Sequence, residues 1–174
     1  MAFEQLTLIT NRAKRNWQYS IRYGCAMQVT HFALGNSGHD PESYVTALTP
    51  DPNFDPSPDA NNNRYPPDMI AGPLAVTSAL DDPYFATVWQ CDVPKGTATG
   101  VVSSVYLLAK FLWLNPAPLG VPLSDSAKAA FYLNLGIIGP TTTPAPYFIY
   151  SMGYFPLSVK TDNEVWTLSC GCQY

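Results

Sequence analysis

Two histidines, four cysteines and a scatter of aspartates are the residues of this 174-residue chain that could carry chemistry. Hydrolysis by a Ser/His/Asp or Cys/His arrangement needs a histidine within reach of its nucleophile, and His31 and His39 are the two on offer. His31 sits in an apolar stretch with Met27, Val29 and Ala33, where a hydrogen-bonded core or edge histidine is expected. His39-Asp40 follows a Gly/Asn/Ser turn and is expected to face solvent. Cys170-Gly171-Cys172 lacks the spacing of a zinc site, and neither a second pair nor a nearby histidine completes four ligands. On a strand those two thiols share one face and act as small apolar side chains. Asp51, Asn53, Asp55 and Asp59 have the outline of a calcium loop. The glycine at its sixth position and the closing Glu are missing, and Pro52, Pro56 and Pro58 block the path.

Asp81, Asp82 and Asp92 could supply the paired carboxylates of sugar hydrolysis. Asp81-Asp82-Pro83, however, reads as a turn whose two side chains diverge. The small-residue run Gly96-Thr97-Ala98-Thr99-Gly100 has no Lys-Ser/Thr after it and is no phosphate loop. The expectation is a protein with no catalytic residue, no cofactor and no metal, and so not an enzyme.

Composition agrees with an assembly role. Apolar residues make up 47% of the chain, enough for a core, while charged residues are only 13%, about half the share of an average soluble domain. A surface so poor in charge, with 13% aromatics, is suited to meeting protein. Charge is also unevenly spread. Arg12, Lys14, Arg15 and Arg22 cluster near the start, whereas Asp40 to Asp92 holds nine acids and one base, Arg64. Acidic loops repel phosphate, so nucleic acid is not an expected partner. The opening residues lack the basic and apolar regions of a secretory leader. The apolar run Val101 to Leu114 is broken by Lys110 and is too short to span a bilayer. A soluble chain made in the cytosol, with reduced thiols, is expected.

The elements that must position these residues are mostly strands. Residues 10–24 predict an amphipathic helix, capped by Thr10 or Asn11 and stopped by Gly24, with Ala13, Trp17 and Ile21 turned to a sheet. On that register Trp17→Ala should cost about 3–5 kcal/mol. Met27 to Leu34 predicts a strand ending in a glycine-rich turn. From Pro41 to Pro73 eight prolines predict an extended arm, without ladder or long helix, ordered by a neighbouring chain. Tyr84 to Val93, Val101 to Leu114, Phe131 to Ile138, Tyr147 to Met152, Tyr154 to Thr161 and Glu164 to Cys172 are strand candidates, with a short helical turn at Ser124 to Ala130; for Val101 to Leu114 a buried helix has the same apolar pattern. Together they predict one domain over residues 1–174. It is mainly β, a sandwich or barrel-like antiparallel sheet, with one N-terminal helix and a Pro/Asp/Asn-rich arm at 41–73. The candidate contact residues are Arg12, Arg15 and Arg22 on the helix and Phe54, Arg64 and Tyr65 on the arm.

Three stretches carry a resemblance. They are LTLITNRAKRNW with VTHFALGNSGHDP and TALTPDP, then DVPKGTATGVVSSVYLLAKF, then YFPLSVKTDNEVWTLS. Together they resemble the short tail-collar or tail-fibre attachment proteins of tailed bacteriophages, over roughly the first 55 residues and the half from Asp92 onward. The insert around Asn61 to Pro67 and the connection Asn115 to Pro122 depart from that pattern. The resemblance implies a virion tail component, made in the bacterial host cytoplasm. It would be an adaptor or ring subunit of baseplate, collar or fibre attachment, self-associating and bound to other tail proteins, with no catalytic residue carried over. A carbohydrate- or receptor-binding β-module is the alternative, for which eleven Tyr and four Trp could supply stacking platforms. Trp17, Trp89 and Trp166 are all expected on core faces, which favours the adaptor.

Overall fold

The computed structural model describes residues 2–23, 26–82, 86–112, 124 and 146–173. The expected strand at 131–138 and all but the first residue of the expected helical turn at 124–130 lie outside them. In chain order the elements are β1 (Ala2–Ile9), α1 (Asn11–Tyr23), β2 (Ala26–Gly35), β3 (His39–Asp40), β4 (Ser43–Ala47), β5 (Met69–Ala75), β6 (Ser78–Asp82), β7 (Ala86–Val93), β8 (Gly100–Leu112), β9 (Phe148–Lys160) and β10 (Trp166–Gln173). The chain is mainly β, as its alternating apolar patterns predict. The sheet is mixed, however, because β1 runs parallel to β10.

Eight strands follow the order β5-β2-β8-β9-β1-β10-β7-β6. Two strands turn this order into a closed, flattened barrel. β1 pairs with β10 along Ala2 to Thr7 and passes to β9 at Leu8 and Ile9. On the opposite side β5 runs into β6 through two residues, of which the Val76 amide donates to Thr30 of β2 and the Thr77 amide to Gln90 of β7. The two ends of the strand order are thus consecutive parts of one bent strand. Strands that bend from one sheet to the next are how orthogonal sheets make their corners.

The inner faces pack Phe32, Leu34, Val105, Leu107, Trp166 and Leu168 into one core. β8 is apolar on both faces because both are covered. Its outward Tyr106 and Leu108 join Ala33, Ile149 and Met152 in a second cluster, roofed by Phe54, Tyr65 and Met69. Segment 41–73 is folded back on its own sheet through these contacts rather than extended from it. It also holds regular structure that its prolines argued against, since β4 lies within it and β5 begins in it. β5 accommodates Pro73 because it is hydrogen-bonded on one side only, to β2.

Bulges set the side-chain directions. In β2 the register against β8 steps between Val29 and His31, and in β9 Ser151 pairs with Leu107 while Ile149 pairs with Leu108. Thr30 and Tyr150 are the extra residues. Such a bulge re-aims the side chains beyond it. His31 consequently lies on the face opposite Val29, against the alternation read from sequence. The expected strands at 147–152 and 154–161 are one continuous strand, β9. Its Pro156 falls where three residues, 155 to 157, oppose the single Ser103.

Candidate functional site

The two ends of the barrel differ. One is shut by the loop after β7 and the hairpin joining β9 to β10. Gly96 takes a left-handed φ of 71° that a side chain would disfavour, and its amide donates to the Asp162 carbonyl. The Thr99 hydroxyl donates to the Asp162 carboxylate at 2.6 Å. Beneath these loops Lys160, fully buried, sends its Nζ to the carbonyls of Pro94 and Glu164 at 3.0 and 2.8 Å.

At the other end stands α1. Thr10 caps it: the Thr10 hydroxyl accepts from the Ala13 amide and donates to the Ile149 carbonyl, which fixes the helix entry against β9. That anchor sets the rotation. Ala13 and Asn16, both 1% exposed, face the barrel. Trp17 and Ile21 are 52% and 72% exposed, which overturns their assignment to the core stripe. Ala13 alone of that stripe is buried.

Between α1 and the barrel mouth lies a cavity of about 410 Å³, lined chiefly by Trp17, Ser20, Met27, Val29, Trp89 and Tyr150. Trp89 and Tyr150 meet edge to face at 5.9 Å. The bulge at Tyr150 turns this ring inward beside Ser151, which contacts Thr7 and Cys172 in the core. The volume is that of a ligand or anchor site.

The anticipated contact residues divide between pinning and display. Arg12 and Arg64 both pair with Asp55, Arg12 through two nitrogens at 2.5 Å and Arg64 at 3.3 Å. Arg64 also donates to the Pro56 carbonyl, and its pKa is lowered by burial and by neighbouring Arg12. Phe54 stacks on Tyr106 and Tyr65 tilts against Tyr147. These four hold segment 41–73 to the barrel. Arg15 is exposed on α1, as is Lys14. Arg22 belongs to the backbone of α1, and its side chain lies outside the described residues.

The residues with chemical promise are engaged in structure. Asp51 and Asp59 accept from the amides of Asn53, Asn61 and Asn63 in tight turns. His31 contacts Thr30 and the Tyr147 hydroxyl, and its pKa is lowered by burial and then by Lys110. His39, expected in solvent, is half-buried and bonds Ser103. Cys91, Cys170 and Cys172 are buried free thiols. Burial pushes Cys91 up to about 12 and raises the other two, so they are poor nucleophiles. Among the described residues no group of His, Cys, Asp or Glu is arranged to hold a metal, and no helix is long and apolar enough to cross a membrane.

Sequence reasoning missed Asp68. It accepts from the hydroxyls of Ser104 and Tyr106 and from the Ser37 amide, and Gly35 leaves it room, since a Cβ there would collide with the carboxylate. A lone acid ahead of an apolar strand gave no signal for this. Comparison with protein-family models, with curated proteins and with solved structures finds no match for the chain.

Proposed function

We propose that this chain is a non-catalytic assembly protein of a phage tail, an adaptor that joins fibre, collar or baseplate subunits through protein contacts and self-associates. The observation that carries an assembly role is the outward turn of α1. Its Trp17 and Ile21 stand in solvent on a helix without a single acidic residue. Large apolar groups on a basic surface are costly to leave in water and are characteristic of contact surfaces. Tyr44 and Val45 on β4 are a second exposed apolar pair. The assignment to a phage tail rests on the resemblance of the three sequence stretches.

A carbohydrate- or receptor-binding module is the second reading, favoured by Trp17, Trp89 and Tyr150 around one cavity. Sugars need several polar partners beside an aromatic wall. The described lining offers two side-chain hydroxyls, Ser20 and Tyr150, which suits apolar chemistry better. Native mass spectrometry of the purified chain, alone and mixed with tail subunits encoded beside it, tests the adaptor. A defined oligomer or a stable complex is expected. A strict monomer that binds none of them, yet binds a glycan on an array, would replace the first reading with the second.

A further inference from the structure

We propose that the cavity between α1 and the barrel mouth receives a large apolar side chain carried on an acidic segment of a neighbouring protein. This rests on the assembly reading above and names the chemistry of the partner.

The cavity supplies the apolar half of the specificity. Its walls are Trp17, Met27, Val29, Trp89 and Tyr150, and a volume near 410 Å³ admits an aromatic or branched aliphatic side chain with room to adjust. Met27 allows that adjustment, because an unbranched thioether repacks around different shapes. Interfaces concentrate their energy in such pockets, where one anchor is stripped of water and its surroundings exclude solvent. Trp17 is placed for that role, half in the wall and half in solvent.

The rim supplies the charge. Residues 14, 17, 18 and 21 follow one another along a helical face, and all four are exposed. That face carries Lys14, with exposed Arg15 next to it, and no acid balances them within α1. Arg12 is engaged by Asp55, so Lys14 and Arg15 are the bases that meet a partner. A partner segment bearing Asp or Glu beside its anchor would be steered by these two exposed bases. Among the described residues the apolar exposure of α1 is confined to Trp17 and Ile21. That is too narrow for an interfacial membrane helix, which buries a full apolar face, and a flat bilayer cannot fill a concave site.

The test uses the full chain and a set of labelled hexapeptides. Each has an acidic frame, Glu-Asp-Glu-Xaa-Glu-Asp, with Trp, Leu or Ala at Xaa, and a fourth carries Trp in an all-Lys frame. Fluorescence anisotropy should give at least tenfold tighter binding for the Trp or Leu peptide than for the Ala peptide, and none for the Lys frame. Ser20→Trp, which fills the mouth, should abolish binding while leaving the far-UV circular dichroism and melting temperature near wild type. Trp17→Ala should weaken binding about tenfold, and Lys14→Glu with Arg15→Glu should slow association and remove its salt dependence. Equal binding of the Trp and Ala peptides, or unaltered binding by a folded Ser20→Trp, would overturn the proposal. So would Trp17-dependent sedimentation with phosphatidylglycerol vesicles that the Trp peptide fails to displace. If Ser20→Trp does not fold, the peptide series on wild type decides alone. A chain that assembles by native mass spectrometry but ignores the Trp peptide refutes the cavity and spares the adaptor. A chain that assembles with nothing but takes the Trp peptide does the reverse.

Discussion

The shut end of the barrel and the end beneath α1 are built from similar residue types put to opposite uses. Each has a tryptophan and a basic side chain. At the shut end Trp166 is 1% exposed and the Lys160 ammonium is held by two backbone carbonyls under interlocked loops. At the α1 end Trp17 stands half in solvent and Lys14 and Arg15 are exposed. A buried cation is tolerated only where hydrogen bonds replace its water, so Lys160 belongs to folding. Trp17, half-exposed beside a cavity, contributes less to folding than a fully buried tryptophan does. Residue type therefore does not separate core from surface in this chain; the loops and caps around each residue do.

The sharpest way to break that contrast is to truncate the shut end. Trp166→Ala should cost about 3–5 kcal/mol, in the range of large-to-small core changes, read as a lowered urea midpoint with unchanged m-value. Lys160→Met keeps the stem and removes the ammonium, leaving the Pro94 and Glu164 carbonyls without their donor. Hydrogen bonds to a charged group contribute about 1.5–3 kcal/mol each, and release of the desolvated charge offsets part of that loss. A net loss of about 2 kcal/mol is expected from the balance of those two effects. A stabilised Lys160→Met would mean that burial of the charge dominates and the cage is not the lock of this end.

Much of this architecture is legible in the sequence, and the failures have physical causes. β8 is read from Val101 to Leu114 because a strand covered on both faces is apolar throughout. The helix is read from Thr10 with Ala13, Trp17 and Ile21 turned inward, and of these the structure buries Ala13 alone. Trp17 and Ile21 make the more hydrophobic stripe, yet the bonds of Thr10 to β9 and of Arg12 to Asp55 rotate α1 so that Ala13 and Asn16 face inward. Tertiary bonds between residues more than forty positions apart leave no trace in local periodicity. The bulges at Thr30 and Tyr150 are equally silent, and they decide where His31 and Tyr150 point. Proline content misleads for 41–73, where packing of Phe54 on Tyr106 and of Tyr65 against Tyr147 supplies the burial that composition does not reveal. Of the cavity, Trp17 and Trp89 are legible as apolar positions; periodicity assigns both to the core, which holds for Trp89 and fails for Trp17.

Alkaline pH sharpens the comparison along the barrel rather than at its ends. The Cys91 thiol is raised from 9.0 to about 12 by burial. Above pH 9 the unfolded chain releases a proton that the folded chain keeps, so the unfolded state binds fewer protons and stability falls as pH rises from 9 toward 12. Cys172, near the α1 end, is also raised by burial, but its bonds to Ser151 and Thr7 pull in the opposite direction. Urea midpoints measured at pH 7, 9 and 10.5 should decline steadily. Cys91→Ala should flatten that decline more than Cys172→Ala does, and equal flattening would show that the polar pair does not distinguish the two thiols.

Segment 41–73 offers a smaller effect. Asp55→Ala leaves Arg12 and Arg64 beside each other without their shared carboxylate. Partly exposed ion pairs contribute about 0–1 kcal/mol each, so a loss of about 1 kcal/mol is expected, diminished in 0.5 M salt. Limited proteolysis at Asn61 to Arg64 should quicken in the variant, because the charged pin of the segment is gone while Phe54 and Tyr65 still hold it. Unchanged cleavage would assign the fastening to the aromatic contacts alone.

The smallest effect is the most informative about the α1 end. With a core tryptophan, Trp17→Ala would lower stability by several kcal/mol; at 52% exposure the change should stay within about 1 kcal/mol, because surface substitutions away from caps and charges rarely exceed half that. Ile21→Ser, at 72% exposure, should be nearer zero and should improve solubility by removing apolar area from water. Both effects should be small, since neither side chain is buried. Measured by urea denaturation, a small pair of losses keeps α1 as a display surface fixed by Thr10 and Asp55. A loss above about 3 kcal/mol for Trp17→Ala, the size of a core truncation, would mean that the tryptophan closes its end of the barrel as Trp166 closes the other, and the contrast between the two ends would be gone.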